Sequence, residues 1–147
     1  MIKVLLKGPV FTSSGYGVHS RQVFSALRLR KNIDLYVQPT SWGSTSWILN
    51  LDFNNFIIRD LLKYSKKHKN GVCFDETYQV TIPNEWQNIS NKDIGITAGF
   101  ETDIVKKEWV KKCNEMYKVI VPSEFAKNAF LKTSKNSNIP INKDITV

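Results

Sequence analysis

The chain has 147 residues, 41% apolar and 12% aromatic, with 21 lysines and arginines against 13 acidic residues for a formal charge of +8. That length suits one domain with a buried core, and the charge favours an anionic partner (nucleotide phosphate, lipid headgroup or nucleic acid) without choosing among them. No apolar run approaches the ~18 residues of a membrane-spanning helix. Cys73 and Cys113 lie far apart, with no CxxC and no His at ligand spacing, and read as two reduced thiols of a cytosolic protein.

Ile2 to Leu6 predicts a first strand, ended by Lys7-Gly8-Pro9; its apolar run is too short for a signal peptide. Val10 to Gly17, VFTSSGYG, is small, polar and glycine-bearing. It leads into a helix predicted to turn Val18, Val23, Phe24, Ala26 and Leu27 inward and Arg21, Arg28 and Arg30 outward. A strand-to-helix turn of this kind leaves backbone N–H groups and the positive helix end free to meet an anion. Ser20 stands where a dinucleotide fingerprint has its third glycine, and no P-loop sequence is present. Gly15-Tyr16-Gly17 therefore reads either as a phosphate-contacting loop or as a plain tight turn.

Ile33 to Gln38 predicts a second strand, stopped by Pro39. Trp42 and Trp47 follow in a polar stretch, where they either stack on sugar rings or pack over the sheet edge. Phe53, Phe56, Ile57, Leu61 and Tyr64 have helical spacing, and the basic Lys63 to Lys69 end suits the helix dipole. Val72-Cys73-Phe74 predicts a brief strand and Tyr78 to Ile82 a clearer one. Pro83-Asn84-Glu85-Trp86 is then a strand-end loop aimed at the same edge as the first, which makes Glu85 and Trp86 cleft candidates.

From Asp93 to Leu131 the pattern is densest. Ile94, Ile96 and Ala98, with Gly95 and Gly99, predict a buried parallel strand. Glu101-Thr102-Asp103 supplies an acid and a cap-type residue ahead of a helix carrying Val105, Trp109, Cys113 and Met116 on one stripe. Tyr117 to Val121 is a further strand, Pro122 stops it, and Ser123 is placed to cap a last helix with Phe125, Ala126, Ala129 and Phe130 on its apolar side. Strand–helix–strand–helix order places the chain in the α/β class, as an open, mostly parallel Rossmann-like sheet with helices on both faces. No Ser-His-Asp set, metal cluster or carboxylate pair supports a hydrolase.

The Glu-Thr pair at 101–102, the Trp-Val helix ending Cys-Asn-Glu-Met, and the Val-Ile-Val-Pro-Ser-Glu-Phe run that follows resemble the end of the N-terminal domain of family 4 (group 1) glycosyltransferases, which have the GT-B fold. The resemblance implies that residues 1–147 form a single Rossmann-like N-terminal domain, one half of a GT-B fold, with the C-terminal nucleotide-sugar-binding domain absent. It implies retaining, nucleotide-sugar-dependent hexosyl transfer, this chain supplying the acceptor side and being inactive without a second domain. By carry-over, Glu101 and His19 take catalytic positions, and Gly15, Gly17, Trp86, Thr102 and Ser123 take substrate-binding ones.

No metal and no cofactor is implied beyond the nucleotide-diphosphate sugar as donor. The implied partners are that sugar nucleotide, an acceptor glycan or lipid, and a C-terminal GT-B domain in cis or in trans. The setting is cytoplasmic with peripheral membrane contact, and nucleic acid is not expected. The sequence departs from the family after Ser134, where Lys135-Asn136 replaces the usual glycine. Two other readings stand beside this one: a non-catalytic binding module of the same fold, and a basic nucleotide- or nucleic-acid-binding α/β domain. Aromatic residues on core patterns weigh against the last.

Overall fold

Six parallel strands form the centre of this computed structural model, which describes residues 1–147, the Asn55 side chain excepted. They are β1 (Ile2–Gly8), β2 (Ile33–Pro39), β3 (Glu76–Val80), β4 (Lys92–Ile96), β5 (Lys118–Ile120) and β6 (Ile145–Thr146), arranged β2-β1-β3-β4-β5-β6. Every pairing in the sheet is parallel. Helices α1 (Gly15–Leu27), α2 (Phe53–Ser65), α3 (Lys107–Glu115) and α4 (Glu124–Ser137) make the crossovers. Only β3 and β4 are joined without one, by a 3-10 turn at Pro83–Glu85 and extended chain. The chain is thus an open α/β sheet of the Rossmann-like kind.

The two faces bury different cores. Register sets Val4 beside Leu35 and Leu6 beside Val37, and these pack with Phe24 and Leu27 of α1 and Ile57, Ile58 and Leu61 of α2. Val119, Val121 and Ile145 lie on the other face with Val110, Cys113 and Met116 of the α3 segment and Ala126 and Phe130 of α4. Helices lie on both faces, so Val4-Leu5-Leu6 of β1 and Ile94-Gly95-Ile96 of β4 are buried on both sides, while β2 at the sheet edge keeps Asp34, Tyr36 and Gln38 partly exposed. No described helix is long and apolar enough to cross a membrane.

Several predicted elements sit elsewhere, each for a local reason. Val72-Cys73-Phe74 pairs with no strand; Phe74 is apolar because it packs against Tyr36 and His68, at ring separations of 5.3 and 5.9 Å. The strand predicted over Tyr78 to Ile82 starts earlier and ends at Val80, because Pro83 lacks the N–H that would continue it.

The helix predicted to follow Thr102 and Asp103 begins only at Lys107. Residue 105 is held off the helix by α4, where Thr133 Oγ1 accepts from Val105 N at 2.8 Å, and Lys106 is extended. Thr102 therefore caps nothing: its hydroxyl donates to Ile104 O at 2.8 Å. Glu101 correspondingly lies ahead of the helix rather than in its first turn. Phe125, predicted inward, is 50% exposed, and Val18, also predicted inward, is 47% exposed.

Strand order fixes where a ligand crevice can lie. The chain leaves β1 toward β2 on one side and returns to β3 on the other, so the topological switch point falls between β1 and β3. The segments leaving the carboxyl ends of those two strands flank it.

Candidate functional site at the carboxyl edge

The loop after β1 is held by a closed network. Thr12 Oγ1 donates to Pro9 O at 3.0 Å, and the Ser14 hydroxyl, 2.8 Å away, is left to donate to Thr12 Oγ1. Ser14 Oγ in turn accepts from Gly17 N at 3.0 Å, which makes Ser14 the N-cap of α1. Arg21 Nη1 donates to Val10 O at 2.9 Å and Thr12 O at 2.7 Å. Arg21 was predicted to face solvent and is only 6% exposed. The carbonyls of a tight loop need donors, and a side chain one turn into the helix reaches them.

The two glycines of this loop differ in purpose. Gly17 is buried, and a Cβ there would overlap Thr12 O and lie 2.6 Å from its Oγ1, so this glycine serves close packing of helix start on loop. Gly15 has nothing within 4 Å of a built Cβ and faces the open edge. At the start of α1, Gly17 N donates to Ser14 Oγ and Val18 N to Ser14 O, while the N–H groups of Gly15 and Tyr16 have no partner among the described residues. Ser20 fills the third-glycine position, and the close helix–strand approach falls to Gly8, where a Cβ would stand 2.7 Å from Ser20 Oγ.

Tyr16 stands at the crevice, half-buried. Its ring meets Trp42 at 4.3 Å, and its phenol lies against the Ala98 backbone N–H just beyond β4. Burial pushes that phenol's pKa up, the Ala98 contact pulls it down, and the Glu85 charge adds to the rise. Lys7, near the end of β1, donates to Gln87 Oε1 at 2.6 Å; burial lowers its pKa, and Glu85 opposes that. Lys7, Tyr16 and Glu85 thus share one electrostatic neighbourhood across β1, β3 and β4. The other tryptophan of the loop after β2, Trp47, packs on Phe11 at 5.6 Å and bridges Thr12.

The predicted site residues divide. The starts of α1 and α4 and the segment after β4 bring Gly15, Glu101, Thr102 and Ser123 to the same edge of the sheet. His19 is half-buried on α1, and burial lowers its pKa, so the ring is neutral near pH 7. Ser123 is occupied as the N-cap of α4, accepting from Ala126 N at 3.2 Å. Thr102 helps line a groove of about 340 Å³ with Phe100, Ile104, Val105, Lys106 and Trp109. No described hydrogen bond or ion pair joins His19 to Glu101.

Trp86 is not in the cleft. It is 1% exposed, lying over Gly95 beneath the sheet-end loops, because the helix-free β3–β4 connection needs a large side chain to cover β4. Glu85, its neighbour, is exposed at the edge. Sequence reasoning passed over Lys7, Tyr16 and Arg21. A lysine in an apolar strand and an aromatic residue between two glycines were the available signals. Among the described residues, no three His, Cys, Asp or Glu side chains gather as a metal site would require. Comparison with protein-family models, with curated proteins and with solved structures finds no match to this chain.

Proposed function

We propose that this chain is the acceptor-side, N-terminal half of a retaining, nucleotide-sugar-dependent glycosyltransferase of the GT-B kind, completed by a second domain in cis or in trans. The observation that carries the reading is the start of α1. Two unpartnered N–H groups, at Gly15 and Tyr16, sit at the switch point of a parallel sheet, on a loop held rigid by Thr12, Ser14 and Arg21.

Glycosyl transfer to a hydroxyl requires the departing diphosphate to be stabilised and the acceptor to be positioned, so preorganised N–H donors and cations matter more than a strong nucleophile. The α1 start offers the donors and the positive helix end. Lys7, at the carboxyl end of β1, adds a cation whose pKa burial lowers. His19, neutral near pH 7, is able to accept a proton from an acceptor hydroxyl, and Glu101 is exposed at the edge where an acceptor would enter. The setting we propose is the cytoplasm, in keeping with two free thiols.

The test is reconstitution. The chain is mixed with candidate second domains and a panel of sugar nucleotides, and nucleotide release is followed with and without acceptors. Acceptor-dependent release that falls at least tenfold in Gly15→Pro, which removes one N–H, supports the reading. Release from no combination, with sugar binding retained, makes the chain a non-catalytic binding module instead.

A further inference from the structure

A groove of about 440 Å³ lies away from the crevice, between the middle of α1 and the first turn of α2. Val18, Arg21, Gln22 and Ser25 line one side and Phe53 and Ile57 the other. Its volume falls within the ~300–1,000 Å³ of small-molecule sites. Arg21, which holds the carbonyls of the loop described above, is part of its wall, so the groove adjoins that loop.

Arg21 gives this groove its chemistry. Its two carbonyl acceptors, Val10 O and Thr12 O, are both taken by Nη1. No acceptor among the described residues serves Nε or Nη2. Neither atom is among those fully enclosed without a partner, so each keeps some access to solvent, and the groove is what Arg21 lines. No described ion pair involves Arg21, and burial alone lowers its pKa, with no carboxylate acting on it. A guanidinium remains charged at any physiological pH, and a buried charge without a counter-ion is costly. Two neutral carbonyls offset only part of that cost. The free pair of nitrogens is the fork that grips a carboxylate or phosphate through two parallel bonds.

The remaining lining says what carries the anion. The Phe53 ring faces Arg21, with the guanidinium carbon 5.8 Å from its centroid, and Val18 and Ile57 extend the apolar wall. Gln22, next to Arg21, and Ser25, one helical turn along, add polar groups in reach of hydroxyls. We infer that the groove binds an acidic sugar, its carboxylate or phosphate on Arg21, a C–H face against Phe53, and hydroxyls toward Gln22 and Ser25. This rests on the function proposed above only in making that sugar part of the acceptor; binding itself requires no second domain.

The full chain is titrated, by nuclear magnetic resonance and calorimetry, with glucuronate, glucose 6-phosphate, inorganic phosphate and glucose. Saturable binding of glucuronate or glucose 6-phosphate, at least tenfold tighter than glucose and than inorganic phosphate, is the expected result. Which of the two binds better distinguishes a uronate from a phosphosugar. Ser25→Phe, which fills the groove without touching the Arg21 clamp, abolishes that binding, and Arg21→Lys weakens it tenfold or more. Equal affinity for glucose, tight inorganic phosphate alone, or unchanged binding in Ser25→Phe overturns the inference. Acidic-sugar binding without transfer by any reconstituted pair would sink the glycosyltransferase reading and leave the groove standing; transfer without such binding would do the reverse.

Discussion

The indole of Trp86 rests on Gly95 so closely that a Cβ on Gly95 would lie 2.6 Å from Cε2 and 2.7 Å from Cδ2. Because β3 and β4 are joined without a helix, this ring covers the face of β4 that a helix would otherwise cover. Gly95→Ala is expected to destabilise the fold by about 1–3 kcal/mol through overpacking, and Trp86→Ala by about 3–5 kcal/mol through the cavity left. Gly95→Ala combined with Trp86→Leu should cost less than the sum, because the smaller side chain makes room for the methyl group. Urea unfolding of the parent, Gly95→Ala, Trp86→Leu and their combination checks this; strict additivity would rule out the contact.

Gly15 and Gly17 should part company under the same substitution. Gly15→Ala meets no atom and occupies a helical position, so it is expected to stabilise by about 0.4–1 kcal/mol through the unfolded chain. Gly17→Ala drives a methyl group into Thr12 and should lower the thermal midpoint by several degrees. Equal midpoints for the two variants would refute the separate roles given to them.

The helix caps supply a third measurement. Ser123→Ala removes the acceptor for Ala126 N and should cost about 1 kcal/mol. Ser14→Ala should cost more, since it also takes the donor from Thr12 Oγ1. Chemical denaturation of both variants gives the order directly.

His19 sets a pH dependence. Burial holds its folded pKa below the ordinary value of about 6.5. Near and below that value the unfolded chain binds more protons than the folded one, so this contribution is complete above about pH 6.5, falls as pH drops, and levels off beneath the folded pKa. His19→Gln should remove that part of the slope as pH falls through and below about 6.5 in denaturation midpoints. An unchanged slope would place the ring in water.

The two thiols should separate cleanly. Burial pushes Cys113 up to about 12, while Cys73 is exposed. Thiolate is the reactive form, so a disulfide reagent near neutral pH should label Cys73 at once and Cys113 only on unfolding. Rapid labelling of both in the native chain would contradict the packing of α3 on β5.

How far the sequence could be read depended on the kind of interaction involved. Strand and helix order followed from apolar periodicity and from Gly, Pro and Ser punctuation, so β1, β2, α1 and α4 lie close to where they were expected, with Ser123 as a cap. Arg21, Val18 and Trp86 did not: a charged residue faces inward, an apolar one outward, and a cleft candidate lies under the sheet end. Arg21 turns onto carbonyls of the preceding loop and Trp86 onto Gly95 of the next strand, contacts between elements of which helical or strand periodicity carries no record.

The sequence alone determined that strands and helices alternate in a chain with enough apolar residues to cover both faces of a sheet, because side-chain periodicity is a local property. Only the tertiary structure decided that β3 lies beside β1, that Arg21 turns onto the Val10–Thr12 carbonyls, and that Tyr16 reaches across to Ala98. Those are choices among contacts between separate elements, made by register and by the need to satisfy buried donors and acceptors.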